Sequence, residues 1–492
     1  MFTDKCLTML ESSSREQIRQ EDDMMEEALN AEEIATDEAI TETFHKLVSK
    51  LSKKNFNVIL QKLKHYAQSH ILEPAVAGAI FASMVKGVTA VQPEQTLDFF
   101  IPHLCSTIDA ILEDQSMNSL EKRKMDIVLQ FNLQMLCEVI SVKTLCTWSA
   151  RPTQVLFKHM DKLCAVLDKT LVLDLKDEYE VASNILENLL FNIIHIRPCQ
   201  NYYVACETPK WSKEEFQWAK PYSLDELKVD WYIPGKVELD VVQNLLEKYL
   251  KSQLELLNNW METKITLEKE QVIRSLRQIY KIIHGCSEIL PTIATGPLKS
   301  TISENLKSLE PIQLCFKDGH HIRQTVLECM RKVQQHILAK TPDDTESLNG
   351  IIAVYDVILF NFGLNQDELI DHIEEHRSVK QHRNNKLVCN KKHLRNIHID
   401  RICVQHETQM CLKNFLVQET LPEQLQKDIY QLCVSQYSEV RIAAQELMSN
   451  IVSQVIPESQ DTLVSITLIM KSSNLSNLIQ FNPYNISSRF QC

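Results

Sequence analysis

Glycine is the scarce residue of this chain, with only 8 in 492. Doubly wound α/β folds, phosphate-binding loops and tight hairpins need glycine where φ is positive or where a ligand approaches the backbone. So few glycines argue for helices joined by short connections. The pairings that signal structural metal or redox sites are missing as well: the 15 cysteines are scattered, without a single C-x-x-C. An odd number of dispersed thiols in a long chain reads as free, mostly buried cysteine in a reducing compartment. No apolar run reaches the 20 or so residues that a membrane span needs. The best candidate, 75–91, carries Lys86 and follows Pro74, so a buried helix is expected there. No secretory leader is apparent at the N-terminus, and the expected location is nucleus and cytoplasm. Positive charge is also in deficit. With 52 Lys and Arg against 65 Asp and Glu, the net charge is -13, which repels a phosphate backbone and argues against direct nucleic-acid binding.

What is present is helical periodicity. Phe44, Leu47, Val48 and Leu51 repeat apolar residues at steps of three and four, as do Phe56, Ile59, Leu60 and Leu63. Similar stripes run through 97–112, 127–142, 155–171 and 181–196. They resume at 241–257, 272–283, 326–337, 351–362, 394–417, 429–434 and 440–455. Strand-type alternation is nearly absent. Helix pairs at intervals of roughly 40 residues predict an all-α fold, a HEAT- or armadillo-like α-solenoid of antiparallel helix pairs. The clearest pair is the last: Leu421-Pro422 opens one helix, and Val440, Ala444 and Leu447 form the inner stripe of the next. Arg441 is expected to reach along the array. Five sections follow. Residues 1–42 are an acidic lead-in, partly disordered or helical, and 43–197 carry HEAT-like repeats. Residues 198–236 are a Pro/Trp-rich insertion, 237–472 carry further repeats, and 473–492 form an irregular tail. The insertion holds four prolines (198, 209, 221, 234) and three of the five tryptophans (211, 218, 231), a density that excludes a continuous helix.

Catalytic motifs are hard to find. The segment His372-Ile373-Glu374-Glu375-His376 fits H-x-x-E-H, the inverted zincin pattern. It lies in a strongly charged run, however, with little apolar surface to build a dry metal cleft, and is read as a solvated helix. There is no G-x-S-x-G, G-x-x-x-x-G-K or G-x-G-x-x-G. The expectation is a non-catalytic binding protein with no catalytic, cofactor or metal residues. One local field stands out: Lys380, Arg383, Lys386, Lys391, Lys392 and Arg395, flanked by Arg377 and Arg401, with Asp400 the only acid in that stretch. Such a patch can hold a polyanion.

Three segments carry a family resemblance: 399–407 (IDRICVQHE), 437–447 and 229–234 (VDWYIP). Pro93-Glu94 with Phe100-Ile101-Pro102-His103, and Asp343 to Leu348, add to it in the same order. The chain resembles the middle of the proteasome activator complex subunit 4 family, large single-chain HEAT-repeat activators, over most of residues 40 to 455. The resemblance implies a solenoid dome that caps the 20S proteasome core particle, opens its gate and promotes ATP- and ubiquitin-independent degradation. It also implies acetylated histones as substrates, a part in DNA repair, and an inositol polyphosphate as the polyanion for the 380–395 patch. The family's gate-opening tail carries a penultimate tyrosine, where this chain has Gln491, so a fragment or short form unable to open the gate by itself is expected. A different helical-repeat scaffold or transport adaptor is the alternative reading, and a zinc hydrolase centred on His372 and His376 the third.

Overall fold

The computed structural model describes residues 3, 5–7, 31–70, 78–113, 119–141, 152–173, 176–198, 231–291, 312, 314–360 and 423–455. Helices in chain order are α1 (Ala31–Val48), α2 (Lys53–Ser69), α3 (Ala79–Val91), α4 (Pro93–Glu113), α5 (Ser119–Val139), α6 (Pro152–Lys158), α7 (Met160–Thr170) and α8 (Lys176–Ile194). Then come α9 (Lys236–Leu245), α10 (Lys251–Met261), α11 (Lys269–Cys286), α12 (Ile322–Lys340), α13 (Thr345–Phe360), α14 (Glu423–Cys433) and α15 (Ser438–Val455). Among the described residues the only strands are β1 (Arg197–Pro198) and β2 (Trp231–Tyr232), paired antiparallel.

These helices stack in two layers. One row, layer B, passes from α1 through α3, α5, α8, α11 and α13 to α15, each helix against the next. The other, layer A, runs from α4 through α6 and α7, α9 and α10, and α12 to α14, with α2 ahead of α4, where Lys64 sits over the Phe99 ring. Consecutive A and B members form the antiparallel pairs of an α-solenoid. The buried residues between the layers form one continuous core. It includes Leu63, Phe81, Leu97, Phe100, Leu189, Ile279, Ile351 and Val440, all at 0% exposure. Burying each such side chain contributes about 1.5–3 kcal/mol, which outweighs weak intrinsic helix propensity at β-branched positions.

Local sequence sets the boundaries. Pro93 and Pro152 open α4 and α6, where a missing N–H is not needed. The Glu268 amide donates to Gln271 Oε1 at 3.0 Å and starts α11. Between α9 and α10 the helix is continuous but contains a π-helical turn, Leu246–Leu250. The spacing of buried residues explains it. On an uninterrupted α-helix at about 100° per residue, Leu254 and Leu257 would lie roughly a quarter-turn away from the stripe of Val242, Leu245, Leu246 and Tyr249. The extra residue of a π turn rotates them back onto it, and all six are buried.

A pair occupies about 40 residues, as in Lys53–Val91 or Ile322–Phe360, while the stretches 199–230, 292–311 and 361–422, with the stripe expected at 394–417, lie outside the described residues. One expectation changes. Arg441 does not reach along the array. It donates to the Ser435 carbonyl at 2.9 Å and closes the turn within its own pair. The Val440, Ala444 and Leu447 stripe is buried as expected.

Two glycines occupy layer-B contacts. A Cβ on Gly285 would lie 2.6 Å from the Glu187 carbonyl oxygen, and one on Gly87 would lie 2.5 Å from that of Thr41. Helices α8 and α11, and α1 and α3, approach too closely there for any side chain. Gly285→Ala is therefore expected to destabilise the chain by about 2 kcal/mol, against the usual gain for glycine replaced within a helix. Urea denaturation followed by circular dichroism measures this, and an unchanged or raised midpoint contradicts it.

Candidate interaction surface

Helices α8 and α11 carry the densest set of polar contacts between neighbouring repeats. Acids on α8 at positions 180 and 187, two turns apart, face bases on α11 at 277, 281 and 284. Arg277 Nη1 lies 3.1 Å from Glu180 Oε2, and Lys281 Nζ lies 2.9 Å from Glu187 Oε2. His284 Nδ1 lies 2.5 Å from Glu187 Oε1. Tyr179 donates its hydroxyl to the Arg274 carbonyl at 2.5 Å, and Arg274 returns a bond to the Leu173 carbonyl at 2.9 Å. At the far end His195 Nδ1 sits 3.0 Å from Glu288 Oε2, which also accepts the Ile196 amide at 3.2 Å. Burial pushes the Glu187 carboxyl up, but His284 and Lys281 outweigh it and hold the group below the ordinary carboxylate value.

From this cluster a polar stripe extends over layer B. Toward α3 it meets the Lys86–Glu138 pair at 3.1 Å. Toward α13 it passes Tyr280, which stacks on His284 with centroids 5.9 Å apart, and reaches the exposed carboxylate Asp356. Burial raises the pKa of Tyr280. On layer A, α10, α12 and α14 border an open groove of about 950 Å3, lined by Asn258, Lys332, Gln335, Gln424 and Gln431 among others. At its floor Asp428, 3% exposed, takes Arg331 Nε at 2.5 Å and Gln335 Nε2 at 3.2 Å.

The chemistry available at these residues is recognition. The carboxylates named are paired with basic side chains or lie at the surface. The thiols of Cys105, Cys137, Cys286, Cys329 and Cys433 are pushed up to about 12 by burial, so they are not thiolates near neutrality. Among the described residues no three His, Cys, Asp or Glu side chains are placed to share a metal ion, and no helix is long and apolar enough to cross a membrane. The six residues of the basic patch, Lys380, Arg383, Lys386, Lys391, Lys392 and Arg395, lie outside the described residues, as does His372–His376. The α8–α11 ladder is a surface that the sequence reading missed. Each half leaves a pattern, acids seven apart on one apolar helix and bases at matching steps on another, but nothing in the pattern pairs the two halves.

Because Glu187 is depressed in the folded chain, its contribution to stability is present above the ordinary carboxylate pKa and is lost as pH falls through the lowered value. Stability of the chain is expected to fall between about pH 5 and pH 3, and Glu187→Gln to flatten part of that fall. Urea midpoints at a series of pH values test this, and parallel profiles for the two proteins contradict it.

Comparison with known proteins agrees with this architecture. The family model described as proteasome activator complex subunit 4, mid HEAT repeats region, matches residues 1–290. Similar relatives include proteasome activator complex subunit 4 of Homo sapiens, 29% identical over 456 residues, which is 90% of this chain and 24% of the relative. The Bos taurus protein is 28% identical over 455 residues, also 90% of this chain and 24% of the relative. Subunit 4B of Danio rerio is 27% identical over 459 residues, 91% of this chain and 24% of that protein. The chain thus spans about a quarter of the length of the curated relatives it matches. With more than half of its residues matched by the family model and two-layer helix pairs throughout the described array, the chain belongs to the proteasome activator complex subunit 4 family, in the mid HEAT-repeat region.

Proposed function

We propose that this chain acts as a stretch of repeat wall in a proteasome-activating cap, contacting the 20S core particle or the proteins delivered to it. The observation that supports this reading best is the continuity of the likeness. It covers 90% of the chain in relatives named as proteasome activator subunits. The role is non-catalytic in this proposal: the repeats offer polar, charge-balanced surface, and the hydrolysis belongs to the core particle. Degradation promoted this way is independent of ATP and ubiquitin, with acetylated histones among the substrates and DNA repair among its settings, in nucleus and cytoplasm. The stretch binds without opening the gate.

Capture of purified 20S particles by the immobilised chain tests the binding claim. Co-elution of core subunits at physiological salt is expected, with hydrolysis of a fluorogenic peptide unchanged on mixing. A chain that is folded by circular dichroism yet captures no 20S particle would sink the core-particle contact and leave a repeat scaffold that meets other proteins. Stimulated hydrolysis would overturn the claim about the gate. The basic patch is proposed to bind an inositol polyphosphate. Replacing Arg383, Lys386, Lys391 and Lys392 together with Glu is expected to weaken binding of inositol hexakisphosphate by about ten-fold or more. Equal affinity in titration calorimetry removes that assignment.

A further inference from the structure

The contact between the pair of α7 and α8 and the pair of α10 and α11 is built differently in its two layers. On layer B, α8 and α11 touch backbone to backbone at Gly285, and half-buried or buried groups bridge them. Glu187 is 15% exposed, Glu288 4% and Arg274 15%. On layer A, α7 and the π turn have few close backbone approaches and meet through long side chains. Lys248 Nζ lies 2.6 Å from Asp168 Oδ2, with both side chains 46% exposed. Tyr249 donates its hydroxyl to Asp168 Oδ1 at 2.9 Å, with the Cys164 carbonyl at 3.3 Å. Exposed pairs of this kind contribute little and are screened by salt, whereas buried pairs on a close-packed contact are screened far less.

The π turn adds compliance at the same place. Its widened ring leaves the backbone less tightly paired than an α turn, and the Tyr249 carbonyl takes outside donors, Ser252 Oγ at 3.2 Å and Gln278 Nε2 at 3.4 Å. On its other face Glu247 accepts the Lys317 amide at 2.7 Å, and Lys251 bridges Glu247 and Asp318. The turn is thus tied to the loop ahead of α12 by one face, and its polar ties to α7 are those of the Asp168 cluster and the Cys164 carbonyl.

We propose that the α7–α10 junction is a salt-sensitive joint of the array: layer A opens and closes there about the fixed α8–α11 contact, with the Asp168 cluster as its latch. Opening changes the curvature of the stack, so that the wall adapts to what it encloses without breaking its core. Of the latch residues Lys248 and Asp168 are half-exposed, whereas the Tyr249 ring beneath them is buried at the edge of the core.

Cys164 reports the motion, since it sits half-buried on α7 beneath Tyr249, while Cys105 on α4 and Cys286 on α11 are buried away from the gap. The test is alkylation of the intact chain with N-ethylmaleimide, followed peptide by peptide by mass spectrometry. Raising sodium chloride from about 0.05 M to about 0.5 M is expected to speed modification of Cys164 by about three-fold while Cys105 and Cys286 stay slow. Asp168→Asn is expected to give the fast rate already at low salt, and Tyr249→Phe an intermediate one. A Cys164 rate that ignores salt overturns the proposal, and so does one that rises in step with Cys286, which reports general loosening. Should either variant fail to fold, the salt series on the unaltered chain decides the matter by itself.

Discussion

Helix α11 lies so close to α8 that position 285 has no room for a Cβ against the Glu187 carbonyl. That approach sets the geometry of the middle of the array. It brings Glu187 within reach of both Lys281 and His284, and Glu180 within reach of Arg277. It also delivers the Arg274 carbonyl to the Tyr179 hydroxyl. In a solenoid the core runs as a strip along the stack, and each helix pair is positioned by its neighbours alone. A contact that tolerates one separation and one register therefore fixes everything stacked beyond it.

Layer B carries the same logic onward. Arg323, fully buried at the start of α12, donates from Nη2 to the Ser287 carbonyl at 2.7 Å and from Nη1 to the Ile358 carbonyl at 2.6 Å. Its partners are carbonyls at the ends of α11 and α13, where the helix dipoles favour positive charge. Burial alone lowers the guanidinium to about 9, which leaves it charged near neutrality. One side chain thus ties three helices of two successive pairs. Layer A is held more loosely in the middle of the stack, by exposed pairs such as Lys169 with Asp109 and Glu113.

Most of the architecture was legible from residue spacing. Apolar steps of three and four mark the observed helices from Phe44 to Ile451, and the stripe of Val440, Ala444 and Leu447 is buried where the pattern puts it. Glycine scarcity pointed to helices, but not to the positions where the few glycines are indispensable, because Gly87 and Gly285 report a distance between elements that no local pattern encodes. The π turn could have been found from the drift of the Val242–Leu257 stripe. Arg441 misled because its position in the repeat suggests a neighbour, whereas the carbonyl of Ser435 lies nearer. The α8–α11 ladder stayed hidden for another reason: its acids and bases lie about a hundred residues apart, and only stacking brings them together. The patch at 380–395 lies outside the described residues.

Helices α8, α11 and α13 form one unit around which the remaining pairs are arranged. Hydrogen exchange of the native chain, resolved by mass spectrometry along these helices, examines that claim most directly. If the account is right, amides of α8, α11 and α13 are the slowest in the array and gain exchange together as denaturant is raised, ahead of neither one another nor global unfolding. Independent exchange of α8, well before α11, would show that the close contact at Gly285 does not hold the array together.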